Sequence, residues 1–436
     1  MLKPYSRKVN WVLFATLVFV VTAGYAQNAC DLWVEMCKNS ASEGGISNNV
    51  GESLFPAITI GRDGNPIVCW ANDHGSGTNL RQQIYVKRWN GSFWVEMGKT
   101  SASGGGVSNN NGESTHPDIV IDRAGNPIIC WRDEEGTRYA RGQIYVKRWN
   151  GSSWVEMGED SASGVGISNN KRLSSYPSIA IGQDGNPIVC WGQMLEDGNG
   201  EIRIKWWDGS AWRQMESIPV TLRKLKKKND VPPVPHPEIA TGLDGNPFIC
   251  WSDYSSGNWE IYVKRWDGLA WVEVGTGSAS GEGISSSAGG CADPTIAIDQ
   301  DGRAIVCWED RTFGNSEIYV KRWDGAAWVE MGKDSASRGG ISHDSEASLH
   351  PDIAIGPNGN PVICWTSGEI YVRRWDGSSW IEVGNGSASG AGISNNIETS
   401  GNPAIAIASD GNPIIVFWNG TSDGDSEIYV RKASAL

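Results

Sequence analysis

Positive charge is the minority sign in this chain. Lys and Arg number 37 against 50 Asp and Glu, a formal net charge of −13 over 436 residues. A nucleic-acid binder needs a basic footprint for phosphates, so that partner class is set aside. Charged residues of both signs make up only 20%, below the usual quarter. The shortage is not that of a disordered acidic chain, because Trp, Ile and Val are plentiful. Long apolar runs are also scarce. After the first 26 residues there is none, so no transmembrane segment is expected in the mature chain. No complete EF-hand spacing occurs around the many Asp-Gly pairs, which hairpin chemistry explains. Histidine is rare, at five residues.

What is present begins with an export signal. Lys3, Arg7 and Lys8 precede an apolar stretch from Val12 to Ala23, and Gly24-Tyr25-Ala26 supplies small residues at a cleavage site. Residues 1–26 read as a signal peptide, with residues 27–436 as one domain. The expected location is secreted or in the cell envelope. An uncleaved anchor is the alternative.

Nine cysteines in an exported chain invite a disulfide reading. Their positions argue otherwise. Cys69, Cys130, Cys190, Cys250, Cys307 and Cys364 each precede a Trp, 57 to 61 residues apart. They are one repeat position seen six times, with Phe417 taken as the seventh, so they read as buried free thiols at an apolar packing site. Cys30, Cys37 and Cys291 fall outside the pattern.

Internal repetition dominates the rest. Trp33-Val-Glu-Met recurs at Trp94, Trp154, Trp212, Trp271, Trp328 and Trp380. Each unit holds four short β-rich runs: A (Ile-Ala-Ile), B (Ile-Val-Cys-Trp), C (Ile-Tyr-Val-Lys-Arg-Trp) and D (Trp-Val-Glu-Met). Asp-Gly or Asn-Gly pairs sit at the A–B and C–D joints, a strong hairpin signal. Four antiparallel strands per unit, seven times over, predict an all-β fold, a seven-bladed β-propeller. The chain opens on a lone D run at Trp33 and closes on a lone A-B-C set ending at Lys432. The N-terminal strand is therefore expected to complete the last blade. Twenty of the 23 Trp fall at three repeat positions. Packing between blades explains them better than sugar stacking.

Hairpin topology puts the B–C and D–A loops on one face, and that face is the expected working side. The D–A loops are long and rich in Ser, Gly and Asn, as at 101–110. Such loops are functional, or they fill space between blades. Before the Pro that opens each A run stand Phe55, His116, Tyr176, His236, Asp293, His350 and Asn402. Blades two, four and six carry His-Pro-acid: His116 with Asp118, His236 with Glu238, and His350 with Asp352. These groups are expected near the mouth of a central channel. Three imidazoles in alternate blades could hold a divalent metal such as Zn²⁺ if they converged to about 2.1 Å from one ion; no other cofactor is implied. Asp118, Glu238 and Asp352 are candidate ligand contacts. So are Asp133, Asp253 and Asp310 after the B-run Trp, with Asp73 one place later, although Asp in a loop often makes only a local turn. Blade four's leading loop departs from the repeat, with a basic run at 223–228 followed by Pro232 to Pro235. It reads as a solvated loop or a grip for an anionic partner.

The stretch Trp375-Asp-Gly-Ser-Ser-Trp380 and the Ile-Ala-Ile…Asp-Gly-Asn-Pro pattern resemble repeats of secreted bacterial β-propellers, including Asp-box-like and lectin-like ones. The resemblance spans all seven units in style. The Asp-box pattern is met only at its end, since Trp375 stands where its Asp belongs. No set of three distinct arginines with a Tyr/Glu pair stands apart from the repeat, so sialidase activity does not carry over. The resemblance implies an exported, non-catalytic binding propeller for a glycan or cell-surface polysaccharide, gaining strength from many like sites. Two alternatives remain: a scaffold for a protein partner, and a glycoside hydrolase or lyase using the channel-mouth His and acids. The near-identity of the blades counts against catalysis, which usually needs one asymmetric constellation.

Overall fold

The computed structural model describes residues 32–74, 81–134, 142–170, 172–223, 234–396, 398–422 and 424–434. Strand is their only regular secondary structure. Seven antiparallel sheets form, each in the order A-B-C-D. Blade 1 runs from strand A at Ser53–Ile60 to strand D at Trp94–Glu96, and blade 6 from Leu349–Ile355 to Trp380–Glu382. Blade 7 is composite. Its A, B and C strands (Ser400–Ile407, Pro413–Gly420, Ser426–Ala433) come from the C-terminal end and its D strand from Trp33–Glu35. Trp33 pairs with Ala433 and Glu35 with Arg431, which closes the ring. Closure leaves no blade stack with an open face.

The repeated residues hold the ring together. The B-strand Trp70, Trp131, Trp191, Trp251, Trp308 and Trp365 are buried between sheets. Each C-strand Trp rests against the D-strand Trp of its own blade, as for Trp149 and Trp154 at 5.7 Å. Six of the seven D-strand indoles then donate to a carbonyl of the preceding blade, among them Trp380 to Met331 at 2.8 Å and Trp33 to Val383 at 2.8 Å. This is the packing role. Large aromatics dominate the area buried in a core.

The cysteines are free and buried apart from the half-buried Cys37; Cys30 lies outside the described residues. The register corrects the sequence alignment of blade 7. Cys69 pairs with Val86 and Trp70 with Tyr85. In blade 7, Val416 pairs with Val430 and Phe417 with Tyr429. Val416 therefore occupies the thiol position and Phe417 the Trp position. Trp418 falls one place beyond, on the partly exposed side.

The Ser/Gly-rich D–A loops turn out to be pinned between blades. Ser101 accepts from Met97 N at 2.8 Å and donates to Val86 O at 3.0 Å. Gly106, at φ +63°, lets the loop cross the Tyr85 ring; a Cβ there would meet Ile84 O at 2.3 Å. The loop between blades 3 and 4 is different. An extra strand, Ile218–Val220, pairs with the start of strand C of blade 3. Arg223 is described; the rest of the basic run lies outside the described residues.

Candidate active site at the channel mouth

A backbone device aims seven side chains at one place. In six blades the A strand carries a β-bulge just before its Pro, for example between Thr115 and Asp118. The residue before the Pro takes a positive φ: Phe55, His116, Tyr176, Asp293, His350 and Asn402 lie between 43° and 54°. Non-glycine residues rarely adopt that region, and such strain collects at functional sites. Bulges re-aim side chains in the same settings. The seventh, His236, comes instead from the irregular segment 234–237. All seven line one cavity of about 240 Å³ at the end of the channel, with Asp118, Glu238 and Asp352 beside them.

The mouth has two unlike walls. On one side Phe55 stacks on His116 at 4.0 Å, and His116 meets Tyr176 edge-on at 5.0 Å. Burial, then the nearby Arg132 and His236 charges, push His116 down to about 3. It is an uncharged ring and part of an aromatic wall. On the other side His236 faces two carboxylates, Asp293 at 3.2 Å and Glu238 at 3.6 Å. Burial opposes its charge, but these two acids outweigh burial and hold His236 well above the usual imidazole value. His350 lies 3.3 Å from the other oxygen of Asp293. It too is raised by Asp293 against burial. Asp293, despite burial, is held far below the carboxylate range by the two histidines. Behind them Glu309, 2% exposed, accepts from His350 N at 2.8 Å. Burial and the Asp293 charge raise it.

Below the mouth sit the three acids of the His-Pro-acid motifs. Burial and Glu238 push Asp118 up to about 7 and Asp352 up to about 6. Each also ties two blades. Asp118 accepts from Ile119 N and from Ile179 N of the next blade at 2.9 Å, and Asp352 from Ile353 N and Ile405 N. Glu238 accepts from Ser178 at 2.8 Å.

The structure places the expected site residues as follows. His116, His236 and His350 share the mouth without forming one ligand set, because His116 is locked in the aromatic stack. Among the described residues, the group whose donor atoms close to within 4.8 Å is Asp293, Glu309 and His350. Asp133, Asp253 and Asp310 do not face open space. They are at most 5% exposed and anchor loops: Asp133 accepts from Ser114, Asp253 from Ser255 N and Asp310 from Thr312 N. Asp73 likewise accepts from Glu52 N at 3.2 Å. The residues that motif reasoning passed over are Asp293 and Glu309. Both stand at repeat positions whose occupant differs from blade to blade, and that variation was the available signal.

No protein-family model and no curated protein matches the chain. Among solved structures it is similar to an ulvan lyase, a polysaccharide lyase solved alone and bound to -[GlcA(1-4)Rha3S]-. Identity to the bound form is 13%, over 89% of this chain and 94% of that one, with a TM-score of 0.50. It is also similar to an α-L-arabinofuranosidase from Fusarium graminearum, at 9% identity over 88% and 93% of the two chains, TM-score 0.49. At such identity the likeness is one of fold. The ring is shared, and the Asp-box-like family is not confirmed. The lyase is an enzyme of carbohydrate, and the likeness to it overturns the expectation of a non-catalytic lectin-like binder. The channel mouth removes the objection that had favoured it. The blades are copies, but the mouth position is not.

Proposed function

We propose that the chain is an exported carbohydrate-active enzyme that cleaves a glycosidic bond at the channel mouth. One observation carries this. Seven blades present Phe, His, Tyr, His, Asp, His and Asn around a single cavity, six of them at one strained backbone position. That is the asymmetric cluster of perturbed groups catalysis needs. The similarity in fold to carbohydrate-active rings supports the reading.

The roles follow from the two walls. The aromatic wall of Phe55, His116 and Tyr176 seats a sugar ring. Its uncharged imidazole keeps the wall a stacking surface. On the ionic wall His236, charged between Asp293 and Glu238, gives its proton to the leaving glycosidic oxygen. Asp118, near 7, is poised to accept a proton close to neutral pH, where general bases work best: from the water that bonds to the anomeric carbon in hydrolysis, or from the ring carbon that gains a double bond in elimination. Asp293 is a positioning residue that orients His236 and His350. Residues 1–26 serve as the export signal and residues 27–436 as the catalytic ring.

The test is turnover of arabinan, polygalacturonate and ulvan by the mature chain and by His236→Asn. Reducing ends report cleavage, and ultraviolet absorbance reports the unsaturated sugar that only elimination yields. Cleavage lost in the variant supports the reading. Cleavage that persists unchanged removes His236 from the mechanism. A wild-type chain inactive on all three polymers counts against the enzyme itself.

A further inference from the structure

Four features that break the repeat gather at one spot. Trp259 is one of three tryptophans outside the repeated positions, and Cys291 is a cysteine outside the Cys-Trp series. The loop between blades 3 and 4 abandons the Ser-Ala-Ser-Gly pattern, and Arg311 stands where other blades have Asp73 or Glu134. All meet in a side pocket of about 240 Å³ that opens next to His236 and Asp293. Leu222 and Pro235, from the altered loop, supply its apolar lining beside Trp259. Trp259 is half-buried and braced edge-on by Tyr254 at 5.4 Å. Cys291 N donates to Trp259 O at 2.8 Å, which fixes the floor between blades 4 and 5.

The polar side of this pocket is under-used. Ser252 Oγ is buried and has no hydrogen-bond partner among the described residues. The Arg311 side chain is 58% exposed, and its Nη2 lies 3.6 Å from Glu309. A charge-assisted N–H···O bond runs to about 2.7–2.9 Å, so the guanidinium fork still has donors to offer. A flat indole, an apolar floor and a cation with free donors are what an acidic sugar needs. The ring packs on the indole, and a planar or tetrahedral anion takes the fork.

We propose that this side pocket is a second sugar subsite, which seats the acidic neighbour of the sugar held at the channel mouth. Trp259 lies against its ring and Arg311 reaches its carboxylate or sulfate. The inference rests on the reading that the mouth handles a polysaccharide. It makes the substrate a polymer with a charged sugar beside the cleaved bond.

Affinity gel electrophoresis of the mature chain tests it, with polygalacturonate, dextran sulfate and neutral dextran cast in the gel. The wild type should be retarded by an acidic polymer and not by dextran. Retardation by polygalacturonate alone assigns a carboxylate; by dextran sulfate alone, a sulfate. Arg311→Ala should weaken it at least tenfold, Arg311→Lys less, and Trp259→Ala severalfold. Arg338→Ala, an exposed arginine on the loop after strand D of blade 5 that does not line the pocket, should change nothing. Equal retardation by dextran, no retardation by either acidic polymer, or equal loss in Arg338→Ala overturns the subsite. Far-ultraviolet circular dichroism and a melting curve show that each variant folds; if Trp259→Ala does not, Trp259→Phe takes its place. The two readings fail separately. A chain that cleaves a neutral polymer without acid-dependent retardation loses the subsite and keeps the enzyme. A chain retarded through Arg311 that cleaves neither acidic polymer keeps the subsite and loses the enzyme.

Discussion

The two walls of the channel mouth come from the same backbone position and have opposite chemistry. His116 and His236 both precede the Pro of strand A. His116 lies between Phe55 and Tyr176, and burial strips its proton. His236 lies between Asp293 and Glu238, and their charges keep its proton. The difference is made by the neighbours in the adjoining blades, since a ring brings blade n against blades n−1 and n+1. A propeller can thus turn seven copies into one asymmetric site by changing one residue per blade.

The largest expected effect sets these histidines against each other. His236→Asn should lower kcat/KM by about 10²–10⁴, the usual worth of a positioned general acid. His116→Phe keeps the stack with Phe55 and Tyr176 and should cost about tenfold or less, since an aromatic pair contributes about 0.5–1.5 kcal/mol. Steady-state kinetics of both variants on the polymer that the wild type cleaves provide the check. If His116→Phe is as damaging as His236→Asn, the division of roles is wrong.

Asp293→Asn probes how the ionic wall is tuned. It removes the charge that raises both His236 and His350. The alkaline limb of the pH–rate profile should move to lower pH, because the proton on His236 is lost sooner. An unmoved limb would mean that another group sets it.

The same groups shape stability against pH. His236 is raised in the folded state, so its contribution is full below the ordinary imidazole value of 6.5 and is lost as pH rises through the folded value. Asp293 is lowered, so its contribution is full above the ordinary carboxyl value of 3.8 and is lost as pH falls. Asp118 and Asp352 are raised carboxyls, so they cost the folded state stability as pH climbs from the ordinary carboxyl value of 3.8 to about 6 to 7, and no more above that. The melting temperature should be highest between these limits and decline toward alkaline pH. Melting curves of the wild type and Asp293→Asn should differ most within the window and converge outside it.

How much of this was readable in the residues alone follows the same division. What is copied was legible. The Trp positions, the Asn-Gly turns and the split last blade lead to a closed ring of four-stranded sheets, because repetition averages out local ambiguity. The position before the Pro was legible as a ring of seven residues. Its chemistry was not, because the shifts come from burial and from charges that only folding gathers, Arg132 and His236 around His116, and Asp293 beside His236. Glu309 and Arg311 lay beyond motif reasoning for the same reason. Each follows a B-strand Trp that is itself repeated, and only the folded ring shows that Glu309 stands behind His350 and that Arg311 lines the side pocket. Asp133, Asp253 and Asp310 misled because a repeated acid next to a loop looks like a ligand contact, whereas a buried carboxylate receiving loop donors is an anchor.

The smallest effect belongs to the copied part and tests the register correction in blade 7. Nature's own substitution at the thiol position is Val416, with Phe417 at the Trp position. Cys307 is fully buried, and Asp352 and burial keep its thiol protonated. Cys307→Val puts into blade 5 what blade 7 already holds, a near volume-conserving swap that usually costs less than about 1.5 kcal/mol. Trp308→Ala, one residue on, empties a site between two sheets and should cost about 3–5 kcal/mol. If Phe417 had marked the thiol position instead, Cys307→Phe would be the tolerated change and Trp308→Phe the disruptive one. The correct register predicts the reverse order in chemical denaturation: Cys307→Val nearly silent, Trp308→Phe mild, and Cys307→Phe severe, because an added ring has no room between packed blades.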